Sequence, residues 1–472
     1  MKSNKKILFF NAKREKCDSD SPHLGLATLA AVLKRSGHEV LVVDYQFKPN
    51  APSPETFFEN FQPDVIGITL YTATMKEAEK IIEQISKFNK PILLGGPHAT
   101  LYYNDLINKA NYIMIGEAEN IIVEIVENAD INSKGQIIQT KPSDPQNLPF
   151  PDFTAFFGYE DIFIYPLLTS RGCPYNCSFC AVHLVSTKKW RPRKVEDCID
   201  EIIQARKVLK SIGSIIIYDD NSMFRKNHIK KFLNSYLDKN INLPITIINT
   251  RADSLDDEII SLLKKSKCPS IGIGVESGHP EVFKKIKKGE TLEDIIVAAE
   301  LIKRHKIPLS LCFVIGLEGD SLEKTRYSID FAKKLNPDHI YWNMITPFKG
   351  TKIREWYDNH GNVFDLVNHS SWVDGDFMCE EPCAETPEFS IEERKKAYMM
   401  AILETNDTRL NITDVPRLIP YIQEYNLYHE FFFWIPSTIW KTVKKPFQLL
   451  NLAVKLYPEI GLNGIIKRIR RN

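Results

Sequence analysis

Three cysteines within eight residues are the part of this sequence best equipped for chemistry. They stand in Cys173-Pro174-Tyr175-Asn176-Cys177-Ser178-Phe179-Cys180, a C-x3-C-x2-C spacing. That spacing puts three sulfurs on one short loop able to wrap a metal centre, and thiolates suit iron–sulfur clusters and zinc. No fourth cysteine follows at the short spacings of ferredoxin or zinc-ribbon motifs. A cubane cluster held by three cysteines keeps one iron open for a substrate, much as catalytic zinc sites keep an open position. Two other readings stand beside this one: a zinc loop with a distant fourth ligand, Cys198 being the candidate, and three unrelated buried thiols.

The flanks say what must position the loop. It follows an apolar run, residues 162–168, and then Thr169-Ser170-Arg171-Gly172. It is followed by Trp190-Arg191-Pro192-Arg193 and a helical pattern. A reactive loop at the C-terminal end of a strand is where barrel enzymes place chemistry. With Phe179 just before the last cysteine, the stretch closely resembles the radical SAM superfamily. The resemblance implies a [4Fe-4S] cluster on Cys173, Cys177 and Cys180, with S-adenosylmethionine (SAM) chelating the fourth iron and Phe179 beside it. It runs from about residue 162 to residue 383. Strand-like runs recur at residues 214–218, 245–249, 270–275, 309–315 and 339–345, with helical patterns between them. With the strand before the cysteines they make six βα-type units, so a partial (β/α)6 TIM-like barrel is the natural closure.

The strand ends carry polar residues, where barrel logic puts function. Asp219 and Asp220, in Asp219-Asp220-Asn221, are expected to contact the SAM amino group or the substrate. Arg251 could pair with the SAM carboxylate through its two-pronged guanidinium, or serve in a structural ion pair. The run Gly272-Ile273-Gly274-Val275-Glu276-Ser277-Gly278 resembles the family's glycine-rich strand, which places Glu276 and Ser277 near SAM. In the turn Gly316-Leu317-Glu318-Gly319-Asp320, Glu318 replaces the family's proline. Cys17, Cys268 and Cys312 read as buried or incidental thiols. Cys379 and Cys383, spaced C-x3-C, are a candidate second metal site.

Ahead of the barrel, apolar runs at residues 7–10, 40–43, 64–70, 91–94 and 112–115 alternate with helical patterns near residues 22–36, 55–61, 75–88 and 117–128. Such alternation gives an α/β doubly wound parallel sheet of the Rossmann or flavodoxin-like kind. These sheets bind ligands beyond the carboxyl ends of their strands. The loops there are residues 11–24, Thr69-Leu70-Tyr71-Thr72, residues 95–100 and Gly116-Glu117, and the paired glycines let backbone approach a ligand closely. In order and spacing the pieces look like the cobalamin-binding (B12-binding) domain found before many radical SAM cores. The expected cobalamin contacts are Thr69, Tyr71, Thr72, Gly95, Gly96, His98, Gly116 and Glu117. The D-x-H-x-x-G pattern that puts a histidine on cobalt is missing. Ser21-Pro22-His23-Leu24-Gly25 has the wrong first residue and a short glycine spacing, so His23 is expected to start a helix. His98 is expected to be structural or to touch the cofactor's tail.

The division that follows is 1–140 for the cobalamin-binding-like domain, 141–161 for a proline-rich linker, 162–385 for the radical SAM core and 386–472 for a mainly helical C-terminal segment. At 472 residues, 43% hydrophobic and 26% charged, the chain has the composition of a multidomain globular protein. A formal net charge of +1 gives no electrostatic case for nucleic acid. Nine unevenly spread cysteines make a disulfide framework improbable and suit a reducing, cytoplasmic setting. No signal peptide is visible, and no apolar run reaches the ~18 residues of a membrane span. From Phe431 onward, eight basic residues face the single acid Glu459. Together with Phe431-Phe432-Phe433-Trp434-Ile435 and Trp440, this suggests either peripheral contact with the inner face of a membrane or a helical cap over the barrel. The resemblance implies a cobalamin-dependent radical SAM enzyme that methylates an unactivated carbon through a 5′-deoxyadenosyl radical and methylcobalamin. Its substrate would be a small molecule, a lipid if the tail meets membrane, and its partner an external electron donor such as ferredoxin or flavodoxin. The rivals are a cyclase or rearrangement enzyme using the same cofactors, and a sensing protein without catalysis.

Overall fold

The computed structural model describes residues 4–14, 19–369, 382–410 and 414–434. Cys17, Cys379, Trp440 and the basic residues after it lie outside them. The chain begins with six parallel strands: β1 (Lys6–Asn11), β2 (Glu39–Asp44), β3 (Val65–Thr69), β4 (Ile92–Gly95), β5 (Tyr112–Ile115) and β6 (Gln136–Gln139). Their order is β2-β1-β3-β4-β5-β6, so the direction of winding reverses at β1 and opens a ligand crevice there. Side chains of β1 alternate between two cores, as the two-residue period of a strand requires. Ile7 and Phe9 pack with Leu26 and Leu33 of helix α1 (Leu24–Arg35). Leu8 and Phe10 pack with Phe57 of α2 (Pro54–Phe61) and with Ile81 and Ile82 of α3 (Met75–Ser86). Strand β6 was not expected: Gln-Ile-Ile-Gln is short and half polar, as suits a sheet edge.

Residues 141–161 are packed rather than loosely extended. Phe153 and Phe156 are buried, Asp152 N–H donates to the Ala27 carbonyl, and Phe157 N–H donates to that of Val42. These bonds tie the segment to α1 and β2.

The second half holds β7 (Ile164–Leu167), β10 (Ser214–Ile217), β11 (Ile245–Ile247), β12 (Ile271–Glu276), β13 (Leu309–Ile315) and β14 (His339–Met344). Between β7 and β10 lies a short antiparallel pair, β8 (Ser170–Arg171) with β9 (Arg191–Pro192). The six long strands are the expected six, all parallel, but they form two sheets, β7-β10-β11 and β12-β13-β14. The ladder breaks after β11 because that strand has only three residues and Asn249 turns left-handed, at φ 58°. The free edge of β14 is covered. Trp342 N–H donates to Asp407, Ile340 N–H to the Thr408 hydroxyl, and Thr408 N–H back to the Ile340 carbonyl. A covered edge cannot recruit another strand.

The C-terminal residues are helical as expected: Ile391–Thr405, Val415–Glu424 and Tyr428–Trp434. Phe431 and Trp434 are 2% and 3% exposed within the main core. These two rings therefore pack as a cap and do not face lipid, which corrects that part of the membrane expectation.

Candidate functional site

The cysteine loop leaves β7 and is fixed at both ends by backbone bonds. Gly172 sits at φ +84°, and a Cβ there would come within 2.8 Å of the Thr187 carbonyl, so only glycine fits. Its N–H donates to Asp220 Oδ2 at 2.7 Å. Cys173 N–H donates to the Thr187 carbonyl, Ser178 N–H to that of Ile286, and Ile353 N–H to that of Ser178. Asn221 Nδ2 donates to Cys173 Sγ at 3.7 Å. The three sulfurs are partly exposed, and Phe179 packs against the core beside them.

Burial pushes the Cys177 and Cys180 thiols up to about 12 and about 11. A metal centre would have to displace those protons, and the charges of Lys288 and Arg251 already draw Cys177 toward the thiolate. Among the described residues no three His, Cys, Asp or Glu side chains converge as a single ion requires. Cys198, the proposed fourth zinc ligand, is buried and points its sulfur at the Leu168 carbonyl. Cys198 is therefore not placed as a fourth zinc ligand. A polynuclear cluster takes one thiolate per iron, and the loop supplies three free thiols from which it could draw them. Cys268 and Cys383 are buried with their sulfurs on the Ser270 and Ile345 carbonyls, so Cys383 is not poised to share a metal.

The polar strand ends divide into two groups. Asp219 is fully buried and accepts from Thr169 N–H, the Thr169 hydroxyl and the Ser170 hydroxyl at 2.6–2.7 Å. Burial raises its pKa to about 6. Its oxygens are spent holding the chain just before the cysteines, so it positions the loop. Arg251 is also committed: Nε and Nη2 fork onto Asp253, Nη1 donates to the Lys288 carbonyl, and the guanidinium lies 3.6 Å over the Tyr175 ring. This is the ion-pair alternative, braced against the cysteine loop. Ser277 is buried at the end of β12, accepting from His279 N–H and lying 3.3 Å from the Ser328 hydroxyl. Asp220 and Glu276 keep access to open space. Asp220 lines a cavity. Glu276 is the last of the less buried alternates of β12, after Gly272 and Gly274. It sits at φ +66° and pairs through Oε1 with Lys288, which also pairs with the buried Glu290.

Above the first sheet lies a cavity of about 580 Å³. Its walls come from both halves of the chain: His23, Tyr71 and Glu117 on one side, Leu168, Tyr218 and Asp220 on the other. A narrower space of about 170 Å³ runs down between the sheet and α1, lined by Gly25, Leu29, Thr69, Gly95, Gly96 and Gly116. A large planar ligand with a tail suits this pair of spaces. Gly96, at φ +94°, is required because a Cβ would come within 2.8 Å of Thr69 Oγ1 and 2.9 Å of the Leu70 carbonyl.

His23 caps α1: Nδ1 accepts from Leu26 N–H at 3.0 Å. Nε2 therefore carries the proton, 3.0 Å from the Tyr71 hydroxyl. Burial lowers the His23 pKa despite Asp44 nearby. With its lone pair used by the helix, His23 is the helix-start residue expected. Thr72 and His98 meet each other instead of a cavity, Oγ1 to Nδ1 at 3.0 Å. His98 stacks on Tyr102, and burial pushes its pKa down to about 4, so it is structural.

Glu117, an expected cobalamin contact, lines both spaces and is also held from the barrel side. It accepts from Ser143 N–H at 2.8 Å and pairs with Arg191 and Arg171, while Arg171 also pairs with Glu119 at 2.6 Å. The loop after β5 is thereby clamped to the β8–β9 pair that carries the cysteine loop. Arg171 and Arg191 flank the cysteine loop in the sequence with no sign of this role, and nothing in the sequence points to Glu119 or Glu290. The only signal was an arginine adjoining Gly172-Cys173, whose partners stand some fifty residues away.

Residues 167–332 match the radical SAM superfamily and residues 14–126 the B12 binding domain. An uncharacterised methyltransferase of Pyrococcus horikoshii is 26% identical over 71% of this chain and 78% of its own length. An anaerobic magnesium-protoporphyrin IX monomethyl ester cyclase of Rubrivivax gelatinosus is 25% identical over 74% of this chain and 68% of its own. The solved structure of the radical S-adenosylmethionine methyltransferase TsrM from Kitasatospora setae, with cobalamin and a [4Fe-4S] cluster bound, superposes with a TM-score of 0.62. It is 18% identical and covers 76% of this chain and 78% of that one, which shows a shared fold.

Proposed function

We propose, on the premise that the chain belongs to the radical SAM superfamily and carries a B12 binding domain, that it methylates a carbon of a small molecule. The observation that carries this reading is the shared cavity, walled by the strand ends of the first sheet and by the mouth of the barrel. The bound groups supply the hard chemistry: a [4Fe-4S] cluster with SAM makes a 5′-deoxyadenosyl radical, and cobalamin carries a methyl group. The protein's part is to hold, orient and enclose. Cys173, Cys177 and Cys180 are proposed to hold the cluster. Glu276, whose Oε2 has no partner among the described residues, is proposed to meet the SAM amino group, and Asp220 to face the substrate. Gly95, Gly96, Gly116, Thr69 and Tyr71 are proposed to cradle cobalamin.

The experiment that tests the function is anaerobic turnover with reductant, SAM and a cell extract, followed by mass spectrometry. Methylation yields S-adenosylhomocysteine and 5′-deoxyadenosine together with a product one methyl group heavier. Deoxyadenosine without S-adenosylhomocysteine would favour the cyclase alternative, which the Rubrivivax relative keeps open. No SAM cleavage at all would leave only a sensing protein.

Cobalamin should bind without a protein nitrogen on cobalt, because Nδ1 of His23 is occupied and Nε2 is protonated. Electron paramagnetic resonance of the cob(II)alamin form is expected to show no nitrogen superhyperfine splitting that His23→Ala removes. Splitting lost in that variant would mean that His23 leaves its cap to ligate.

A one-electron donor of the ferredoxin or flavodoxin type is proposed as partner. No helix among the described residues is long and apolar enough to cross a membrane. Peripheral membrane contact, and a lipid substrate with it, now rests on Trp440 and the basic residues beyond it. Full-length protein is expected to float with anionic liposomes at low salt, and to be released at high salt. Protein that stays unbound at low salt ends that proposal.

A further inference from the structure

We propose that Asn221 tunes the redox centre: its side-chain amide, donating to the Cys173 sulfur, raises the reduction potential of the cluster that the cysteine loop holds. This rests on the cluster proposed above and deepens it by one residue that is not a ligand. Asn221 Nδ2 lies 3.7 Å from Cys173 Sγ, within reach of an N–H···S bond. A thiolate accepts and cannot donate, so Nδ2 and not Oδ1 faces it. The residue is 1% exposed, and Oδ1 has no partner among the described residues. An amide buried for packing alone would have both ends satisfied or be replaced by an apolar side chain. Here the one side-chain bond made ends on a sulfur of the loop.

The fold places that bond. Three consecutive residues just after β10 reach successive points along the entry to the loop. Asp219 accepts from Thr169 and Ser170, Asp220 accepts from Gly172 N–H, and Asn221 donates to Cys173. Asn249 Nδ2 donates to the Asp219 carbonyl and braces the same segment from beyond β11. The first two positions meet N–H and hydroxyl donors, and both are carboxylates. The third meets a sulfur, which accepts, and there the residue changes from aspartate to asparagine. A carboxylate at 221 would repel a thiolate.

Each sulfur of the loop has its own electropositive support. Cys180 Sγ accepts from the backbone N–H of Val182. Against the cost of burial, the charges of Lys288 and Arg251 favour the Cys177 thiolate. For Cys173 the support is a neutral side chain, Asn221. Hydrogen bonds to cysteine sulfurs are among the levers that set the potential of an iron–sulfur centre. Reduction adds one electron, taken from a low-potential one-electron donor, and moves no atom. It makes the sulfurs more negative, so an N–H aimed at one of them stabilises the reduced form more than the oxidised. The low dielectric of a buried site enlarges that difference.

The test is an anaerobic potentiometric titration of the reconstituted full chain, read by paramagnetic resonance of the reduced centre, in wild type, Asn221→Leu and Asn221→Val. Leucine keeps the size of asparagine and lacks the donor. Iron per chain should match wild type, because the amide is not a ligand. The midpoint should move to lower potential, so that at the wild-type midpoint the ratio of reduced to oxidised centre falls about threefold to tenfold, as one net hydrogen bond is worth. Raman spectra in H2O and D2O supply a readout that packing alone would not move. The iron–thiolate bands of wild type should shift more on deuteration than those of Asn221→Leu. An equal or higher midpoint in Asn221→Leu at equal iron content would overturn the proposal, and so would equal deuterium shifts. If Asn221→Leu takes up no iron, Asn221→Val carries the test. Failure of both to assemble a centre would overturn the proposal as well, because Asn221 would then be needed for assembly. Wild-type protein without an iron–sulfur signal would instead remove the function proposed above, leaving Asn221 nothing to tune.

Discussion

Alanine in place of Cys173, Cys177 or Cys180 is expected to abolish iron–sulfur absorbance and to reduce 5′-deoxyadenosine formation to background, while leaving the fold nearly as stable as before. The first half follows from the ligand count. The loop offers three sulfurs close in sequence, while Cys198, Cys268 and Cys383 are buried with their sulfurs on backbone carbonyls and Cys312 stands apart from the loop, on β13. The second half follows from how the loop is held. Its shape depends on backbone bonds of Gly172, Cys173 and Ser178, and on Arg251 braced over Tyr175, none of which needs a thiol. A partly exposed side chain such as Cys177, removed without stranding a polar partner, costs about 1 kcal/mol or less; Cys173→Ala also takes the sulfur from the buried Asn221 amide and should cost somewhat more. Thermal unfolding of the apo variants should therefore stay close to that of apo wild type. Zinc without iron in anaerobically purified wild-type protein would reject the cluster. A large loss of apo stability would show instead that the cysteines are structural.

Much of this was legible from the sequence because the signals were local. The cysteine spacing, the alternation of apolar runs with helical patterns and the glycines at strand ends each lie within a few residues. Their physical meaning does not depend on the rest of the fold. What could not be read was which partner each polar strand end would choose. Asp219 and Asp220 are neighbours of the same type after the same strand. One turns inward to Thr169 and Ser170, while the other reaches a cavity wall. Alternation along the chain separates them, but only the folded position of residues fifty places away decides which is spent. Glu117 shows the same limit. It stands where a ligand loop should be and looks outward in sequence, yet two arginines from the barrel side claim it. Strand β6 was missed for a different reason, since two isoleucines between glutamines give no pattern of their own.

The clamp supplies the second large effect. Arg171 is 13% exposed at its side chain, and its partners Glu117 and Glu119 are 11% and 7% exposed. Leucine at position 171 would leave Glu119 buried without its cation and Glu117 with Arg191 alone. Breaking a buried pair from one side costs about 3–5 kcal/mol, because the remaining charge is stranded. Arg171→Leu is therefore expected to melt several degrees below wild type and to lose methylation more than 5′-deoxyadenosine formation, since the cavity walls no longer keep register. Arg171→Lys should recover only part of this, because an ammonium restores charge without the two-pronged geometry. Adding Glu119→Gln to Arg171→Leu should return part of the stability, as expected for residues that share one network. Burial alone would raise the Glu117 pKa, but Arg191 and Arg171 outweigh it and hold it below the usual 4.5. A carboxylate whose folded pKa is lowered stabilises above its unfolded value and loses that contribution as pH falls through the folded one. The wild-type clamp should thus hold at neutral pH and fail as pH falls below the ordinary carboxylate range, whereas Arg171→Leu, which keeps Arg191 on Glu117, should show a weaker acid-sensitive step. If Arg171→Leu melted like wild type and kept its ratio of methylation to radical formation, the two halves of the cavity would be held in register by something other than this clamp.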